Sequence, residues 1–118
     1  MASESLQIVS ILGARDGGRI LQLKGPLNIH TIFQFHDAVR KEPPPALILD
    51  FSDVPFMDSA GLGALVAANV AGQKAARKLA LVGLNTQVRT LLEMTHVAQL
   101  FLICPTIHEA EVALSTEA

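Results

Sequence analysis

The chain has 118 residues, half of them hydrophobic, with a formal net charge of −2 and only 4% aromatic residues. That length fits one domain, and that apolar share is enough for a core built without metals or disulfides. The near-neutral charge and the scarcity of rings argue against nucleic-acid binding, which draws on clustered Lys and Arg and on stacking aromatics.

The opening residues, Met1-Ala2-Ser3-Glu4-Ser5, lack the basic segment and apolar run of a signal peptide. No apolar stretch approaches the roughly 20 residues needed to cross a bilayer. Cys104 is the single cysteine, so it forms no internal disulfide and fits a reducing cytoplasm. Its neighbours Leu102 and Ile103 point to a buried strand thiol rather than a nucleophile. The expectation is one cytoplasmic domain over residues 1–118, ordered from about residue 5 to about residue 115, without membrane insertion, nucleic-acid partner, metal or cofactor.

Residues 6–12 (LQIVSIL) read as a first strand, with Leu6, Ile8, Ser10 and Leu12 on one face. Residues 13–18 form a turn, since Asp16-Gly17-Gly18 readily supplies positive φ. Residues 19–24 alternate as a second strand, so the pair reads as a hairpin. Residues 25–31 (GPLNIHT) break the strand and open a helix in which Ile32, Phe35, His36 and Val39 fall at i, i+3, i+4 and i+7. Lys41-Glu42-Pro43-Pro44-Pro45 ends that helix abruptly, because proline removes the N–H that a helix needs, and serves as a stiff connector.

The run Ala46-Leu47-Ile48-Leu49 leads into Asp50-Phe51, the pattern of a strand buried on both faces. Residues 52–55 read as a loop, because Pro55 biases Val54 away from helix. Asp58-Ser59 then precedes a helix expected to reach about Arg77, whose small residues Ala64, Ala67, Ala68, Ala71 and Ala75 would allow close packing on the sheet. A strand at residues 79–82 follows. Next come a helix capped by Asn85, with Val88, Leu91 and Leu92 apolar, and a short strand at residues 101–104. Thr106 and Glu109 have capping-box spacing and open a last helix that fades by Ser115. Strand–helix alternation of this kind predicts an α/β domain, a mixed sheet with helices packed on it.

Between Ala46 and Gly63 a strand, a loop and a helix N-terminus follow one another, which places a site at the carboxyl edge of the sheet. Aspartate and serine are the residue types whose side-chain oxygens cap the free N–H groups of a first helical turn. Most serines at helix starts are no more than caps. Asp58 can fill that role here, however, which leaves Ser59 partly redundant in it. Gly61 and Gly63 sit in the first turn although glycine costs about 1 kcal/mol there against alanine; their missing side chains would let another molecule approach the backbone. A phosphate on Ser59 would lie near unpaired N–H groups and the positive end of the helix dipole, both of which favour anions.

The stretch Asp50-Phe51-Ser52-Asp53-Val54-Pro55-Phe56-Met57-Asp58-Ser59-Ala60-Gly61-Leu62-Gly63 closely resembles the signature of the STAS domain. The likeness is to bacterial anti-sigma factor antagonists, whose Phe-Met-Asp-Ser-Ser/Thr-Gly-Leu-Gly core carries a regulatory serine. The resemblance implies a small STAS-like fold of about five strands and four helices over nearly the whole chain. It implies that Ser59 is phosphorylated by a partner that is both anti-sigma factor and serine kinase, with a phosphatase as a further partner. It also implies a partner-binding surface at Asn28, Asp58, Ser59, Ala60, Gly61 and Leu62. ATP and magnesium would belong to the kinase. Two departures stand out. The family's Gly-Glu-Leu-Asp loop is Gly25-Pro26-Leu27-Asn28 here, so Asn28 keeps an oxygen acceptor without the charge. Ala60 stands where the family has a neighbouring hydroxyl.

Other chemistries are weakly supported. His30, His36, His96 and His108 are scattered without zinc-pair spacing. Ser59 lacks the Gly-x-Ser-x-Gly elbow of serine hydrolases, and Gly61-Leu62-Gly63 is no dinucleotide or phosphate-loop fingerprint. One rival is a receiver accepting a phosphoryl group on Asp50, although an acidic pair after the first strand and a late lysine are missing. Another is a STAS scaffold subunit of a stress-signalling or lipid-transport complex. The expected function is a non-enzymatic switch that sequesters an anti-sigma factor and so frees a sigma factor, until Ser59 is phosphorylated.

Overall fold

The structure, a computed structural model, describes residues 5–14 and 17–115. Strands β1 (Gln7–Leu12) and β2 (Gly18–Lys24) form the expected hairpin; of its turn, Arg15 and Asp16 lie outside the described residues, and Gly17 has φ 78°. Then follow α1 (Ile32–Arg40), β3 (Ala46–Asp53), α2 (Ser59–Lys74), β4 (Lys78–Val82) and α3 (Thr86–Met94). A 3₁₀ turn at Ala98–Leu100, β5 (Leu102–Cys104) and α4 (Ile107–Ser115) are the last of the described elements. The strands lie in the sheet in chain order, β1 antiparallel to β2 and all the others parallel. This is the mixed α/β sheet that the patterning predicted, with the five strands and four helices that the resemblance implied.

Chain-order topology decides where the helices go. Parallel crossovers are right-handed almost without exception, and here each advances the sheet by one strand in the same direction. The three crossover helices therefore share one face. Phe35 and Val39 of α1, Leu62 and Leu65 of α2, and Val88 and Leu92 of α3 meet Leu21, Leu23, Leu47, Leu49, Leu79 and Leu81 of the sheet there. The alternate strand residues Ile20, Ile48, Ala80, Val82 and Cys104 form a smaller core on the other face, under Ala110 and Leu114 of α4. β3 is accordingly buried on both sides, as its apolar run predicted.

Side chains lock the corners. Arg19 pairs with the buried Glu42 at 3.0 Å, and Ser10 Oγ donates to the other Glu42 oxygen at 2.8 Å. The hairpin is thereby fastened to the connector after α1. Thr106 caps α4 as expected, its hydroxyl accepting from Glu109 N at 3.1 Å.

Four expectations change. Residues 52 and 53 are not loop: Asp53 pairs with Lys24 across a register shift in β2, and its carbonyl accepts from Gly25 N at 3.0 Å. Only some of the expected small residues of α2 pack inward: Ala68 is in the core and Ala64 packs against it, whereas Ala67, Ala71 and Ala75 are exposed. Gly61, Leu62, Leu65, Ala68 and Gly72 are the buried ones, while Ala67, Ala71 and Ala75 border a groove against His36, Val39 and Arg40 of α1. His36 itself is exposed, and the buried stripe of α1 is Phe35 and Val39. Finally, α2 stops at Lys74 rather than near Arg77.

The stop is tertiary in origin, because Ala and Arg are both good helix formers. Ala76 turns into the left-handed region at φ 57°. Its N–H reaches Gln73 O at 3.3 Å, and Arg77 N reaches Gly72 O at 2.8 Å, the paired bonds of a Schellman ending. What holds the chain there is the buried Arg77 guanidinium, which donates to Val39 O and Glu42 O at 3.2 Å and to Ala68 O at 3.4 Å. Burial lowers the pKa of Arg77, an effect that Glu42 opposes. Alanine in the left-handed region is strained by about 1–2 kcal/mol, part of which glycine would give back through its freer unfolded chain. Ala76→Gly should therefore raise the free energy of unfolding in urea by about 1 kcal/mol; an unchanged or lowered midpoint would contradict the strain.

Candidate functional site

The site is built where α2 begins, at the carboxyl edge of β3. Asp58 sits in extended conformation just before the helix, and its Oδ1 accepts from Gly61 N at 2.8 Å. Its Oδ2 accepts from Ile29 N at 3.2 Å. One carboxylate thus caps α2 and grips the loop between β2 and α1. The same two segments are joined by main chain: Leu27 and Met57 form a parallel bridge, with Leu27 N donating to Phe56 O at 3.2 Å and Asp58 N donating to Leu27 O at 3.3 Å.

The other edge of Met57 is held by a side chain. Gln87 Oε1 accepts from Met57 N at 3.1 Å and its Nε2 donates to Met57 O at 3.4 Å, so one amide stands in for a strand neighbour. Asn85 caps α3 by accepting from Val88 N at 2.9 Å, and turns its Nδ2 to Val54 O and Pro55 O at 3.2 and 3.0 Å. Asn85 was foreseen as a helix cap. Its grip on the loop, and the whole role of Gln87, was not. Gln87 lies 30 positions from Met57 and belongs to no periodic pattern, so nothing local marks it.

Asn28 is buried, and its Oδ1 accepts from His30 N at 2.9 Å. Its own N–H donates to Thr31 Oγ1, which in turn donates to Pro26 O, both at 2.9 Å. Asn28 therefore shapes the loop that Asp58 grips. Ser59 is the first residue of α2 and is exposed, with Ala60 beside it half-buried. The first intrahelical bond runs from Leu62 N to Asp58 O at 2.9 Å, so the N–H groups ahead of it have no main-chain partner within the helix, and Gly61 N takes the Asp58 carboxylate instead.

The two glycines differ. A Cβ on Gly61 would stand 2.1 Å from Leu27 O and 2.8 Å from Met57 Cγ, whereas one on Gly63 would meet nothing within 4 Å. From the sequence both are expected to leave an open backbone for another molecule. That fits the exposed Gly63 and fails for Gly61, whose vacancy is filled by this chain's own loop. Leu62 is likewise buried and points into the core. Of the residues assigned to a partner surface, Ser59 is the fully exposed one, Asp58 and Ala60 are half-buried, and Asn28, Gly61 and Leu62 lie beneath.

Ile29, Phe33 and Phe56 add exposed apolar side chains on the two segments that Asp58 joins and on the first turn of α1, Phe33 being 78% accessible. Asp50, the rival phosphoryl acceptor, uses Oδ1 to take bonds from Ser52 Oγ at 2.6 Å and Ser52 N at 3.0 Å. Cys104 is buried, and that burial, with Glu109 nearby, pushes its thiol pKa up. It is a protonated thiol and a poor nucleophile. Among the described residues no group of three or more His, Cys, Asp or Glu could hold a metal ion, and no helix is long and apolar enough to cross a membrane.

Comparison with known proteins bears on this geometry. The STAS domain family pattern matches residues 10–110. The chain belongs to the STAS domain family. An anti-sigma F factor antagonist of Paenibacillus polymyxa is 30% identical to this STAS domain over 105 residues, which is 86% of each chain. A Thermotoga maritima crystal structure assigned as an anti-sigma factor antagonist has a TM-score of 0.83 and 27% identity, covering 92% of this STAS domain and 94% of that chain. The fold is shared by an anti-sigma factor antagonist from Mycobacterium paratuberculosis, at a TM-score of 0.78 and 23% identity over 95% of this chain and 96% of that one.

The contrast between the glycines of this STAS domain is directly measurable. Gly61→Ala forces a methyl group against a carbonyl oxygen of the main chain and should cost about 2–3 kcal/mol of stability. Gly63→Ala adds a methyl group in open space on a helix and should gain up to about 1 kcal/mol. Equal midpoints in urea would contradict the packing described here.

Proposed function

We propose that this STAS domain is an anti-sigma factor antagonist acting in the cytoplasm as a non-enzymatic, phosphorylation-controlled switch. Unmodified, it binds an anti-sigma factor through the surface around Ser59 and so frees a sigma factor. When that partner, acting as a serine kinase with its own ATP and magnesium, phosphorylates Ser59, the complex dissociates, and a phosphatase restores the binding form. The observation that carries the reading is the division of labour at the start of α2. Asp58 is fully engaged as cap and grip, while the hydroxyl next to it is exposed and free of any structural duty that Asp58 does not already perform.

Several features support it. The relatives named above are anti-sigma factor antagonists. The exposed Ile29, Phe33 and Phe56 supply apolar area to a protein interface of which Ser59, Ala60 and Gly63 form the helix side. Asn28, Asp58, Gly61 and Leu62 shape that surface from beneath. Phosphoserine adds about −1.5 to −2 charges beside Asp58, in an interface that has to shed water to form. The helix N-terminus stabilises such a charge in the free protein, whereas a bound partner would have to bury it.

Incubation with the cognate kinase and ATP should add one phosphate, stable to acid as a phosphoserine is and an aspartyl phosphate is not. Ser59→Ala should accept none. Label that persists in Ser59→Ala and disappears in Asp50→Asn would instead favour the receiver chemistry. For binding, calorimetric titration should find Ser59→Ala at least as tight as the wild type and Ser59→Asp weaker by about tenfold or more. Aspartate at a helix start favours the helix, so circular dichroism should show both variants folded. Equal affinities for Ser59→Asp and the wild type would remove charge at this position as the switch.

A further inference from the structure

We propose that β1 is a self-pairing edge: two copies of this chain join their sheets by antiparallel β1–β1 pairing about a twofold axis at Ser10. Among the described residues β1 ends the sheet, with β2 as its only strand neighbour. Natural edge strands are blunted by charges, proline or bulges. β1 reads Gln-Ile-Val-Ser-Ile-Leu with neither charge nor proline, and its pairing with β2 is unbroken over all six residues.

The phase of the ladder shows which groups are left over. Gly13 N donates to Gly18 O at 2.8 Å, and the register places Ile11, Val9 and Gln7 on the same bonding step towards β2. In an antiparallel pair the bonding residues alternate, so Ile8, Ser10 and Leu12 turn their N–H and C=O groups outward. A second copy with Ser10 opposite Ser10 then places Ile8 opposite Leu12, and each facing pair exchanges two main-chain bonds.

The side chains of β1 fit the same axis. Leu12, 74% exposed, shares its face with Ile8 and Ser10. On that face a groove of about 390 Å³ runs between β1 and α1, floored by Ile8, Leu21 and Ala38 and rimmed by Asp37 and Lys41. Setting Leu12 of one copy beside Ile8 of the other brings it to that groove. On the opposite face, Val9 and Ile11 are exposed, because the only helix there among the described residues, α4, packs on β3, β4 and β5. The twofold sets Val9 of one copy against Ile11 of the other as a directly opposed apolar pair. It also reverses the second sheet, so that the two Ser59 sites open at opposite ends of a continuous ten-stranded sheet and neither is covered.

Sedimentation velocity of the full chain, from about 1 μM to about 1 mM, tests the pairing. The wild type should shift from a 12.6 kDa species to one of twice that mass. Val9→Lys and Leu12→Lys, both at exposed positions, should keep the circular dichroism spectrum and weaken association about tenfold or more. Ser10→Cys should form a disulfide between copies under mild oxidation, since facing residues of this kind lie about 5.5 Å apart and Cys104 is buried. A wild type that stays monomeric throughout would leave the edge to some other chain and overturn the proposal. So would a dimer that survives both lysine substitutions, or one in which Ser10→Cys fails to cross-link.

Discussion

One carboxylate with two obligations organises this protein. Asp58 must satisfy Gly61 N and Ile29 N at once, which is possible only if the start of α2 and the loop after β2 lie against each other. The Leu27–Met57 bridge supplies that proximity. Its cost is a carbonyl of Leu27 pressed onto the first turn of α2, so that residue 61 has to be glycine. With one side chain Asp58 gives a partner to two main-chain donors, the part-buried Gly61 N and the more exposed Ile29 N. The serine that follows is then both fixed in position and released from capping.

The second constraint comes from α3. Gln87 and Asn85 hold Met57 and the Val54-Pro55 carbonyls from the side opposite the Leu27 bridge. The segment preceding Ser59 is therefore bonded on both edges, although it belongs to no regular strand beyond one bridge. A loop secured in this way presents Ser59 at a defined place without burying it. The energetic logic resembles that of a rigid scaffold carrying an exposed functional residue. On the proposed function, charge placed on Ser59 would meet a surface already organised, and would act by electrostatics and desolvation rather than by refolding the domain.

How much of this was legible depends on the range over which each feature is decided. The α/β class, the central strand and the hairpin follow from local alternation and the apolar run at residues 46–49, because which face a strand residue occupies is fixed by its immediate neighbours. The role of Asp58 as cap was legible for the same reason: a cap bonds within its own first turn. Gly61 was visible but given the wrong purpose, since a glycine shows that something comes close without showing whether it is another molecule or the chain's own Leu27. The end of α2 was missed because Ala75, Ala76 and Arg77 favour helix locally, and the stop is imposed by the carbonyls of α1 and α2 that Arg77 reaches. Gln87 left no trace at all; its partner is a backbone, and a backbone carries no residue-type signal. The fate of His36 was set by how narrow a stripe α1 buries, which depends on the packing of α2 beside it.

The central claim is that the Asp58 arrangement holds Ser59 so firmly that a charge there changes the surface and not the fold. Comparison of ¹⁵N–¹H spectra and amide exchange between the wild type and Ser59→Asp tests it without any partner. The account predicts shifts confined to residues 27–29 and 56–63, with amide protection across β2, β3 and β4 unchanged. Altered protection in those strands, or shifts spreading through α3 and α4, would contradict it and make the signal a conformational one.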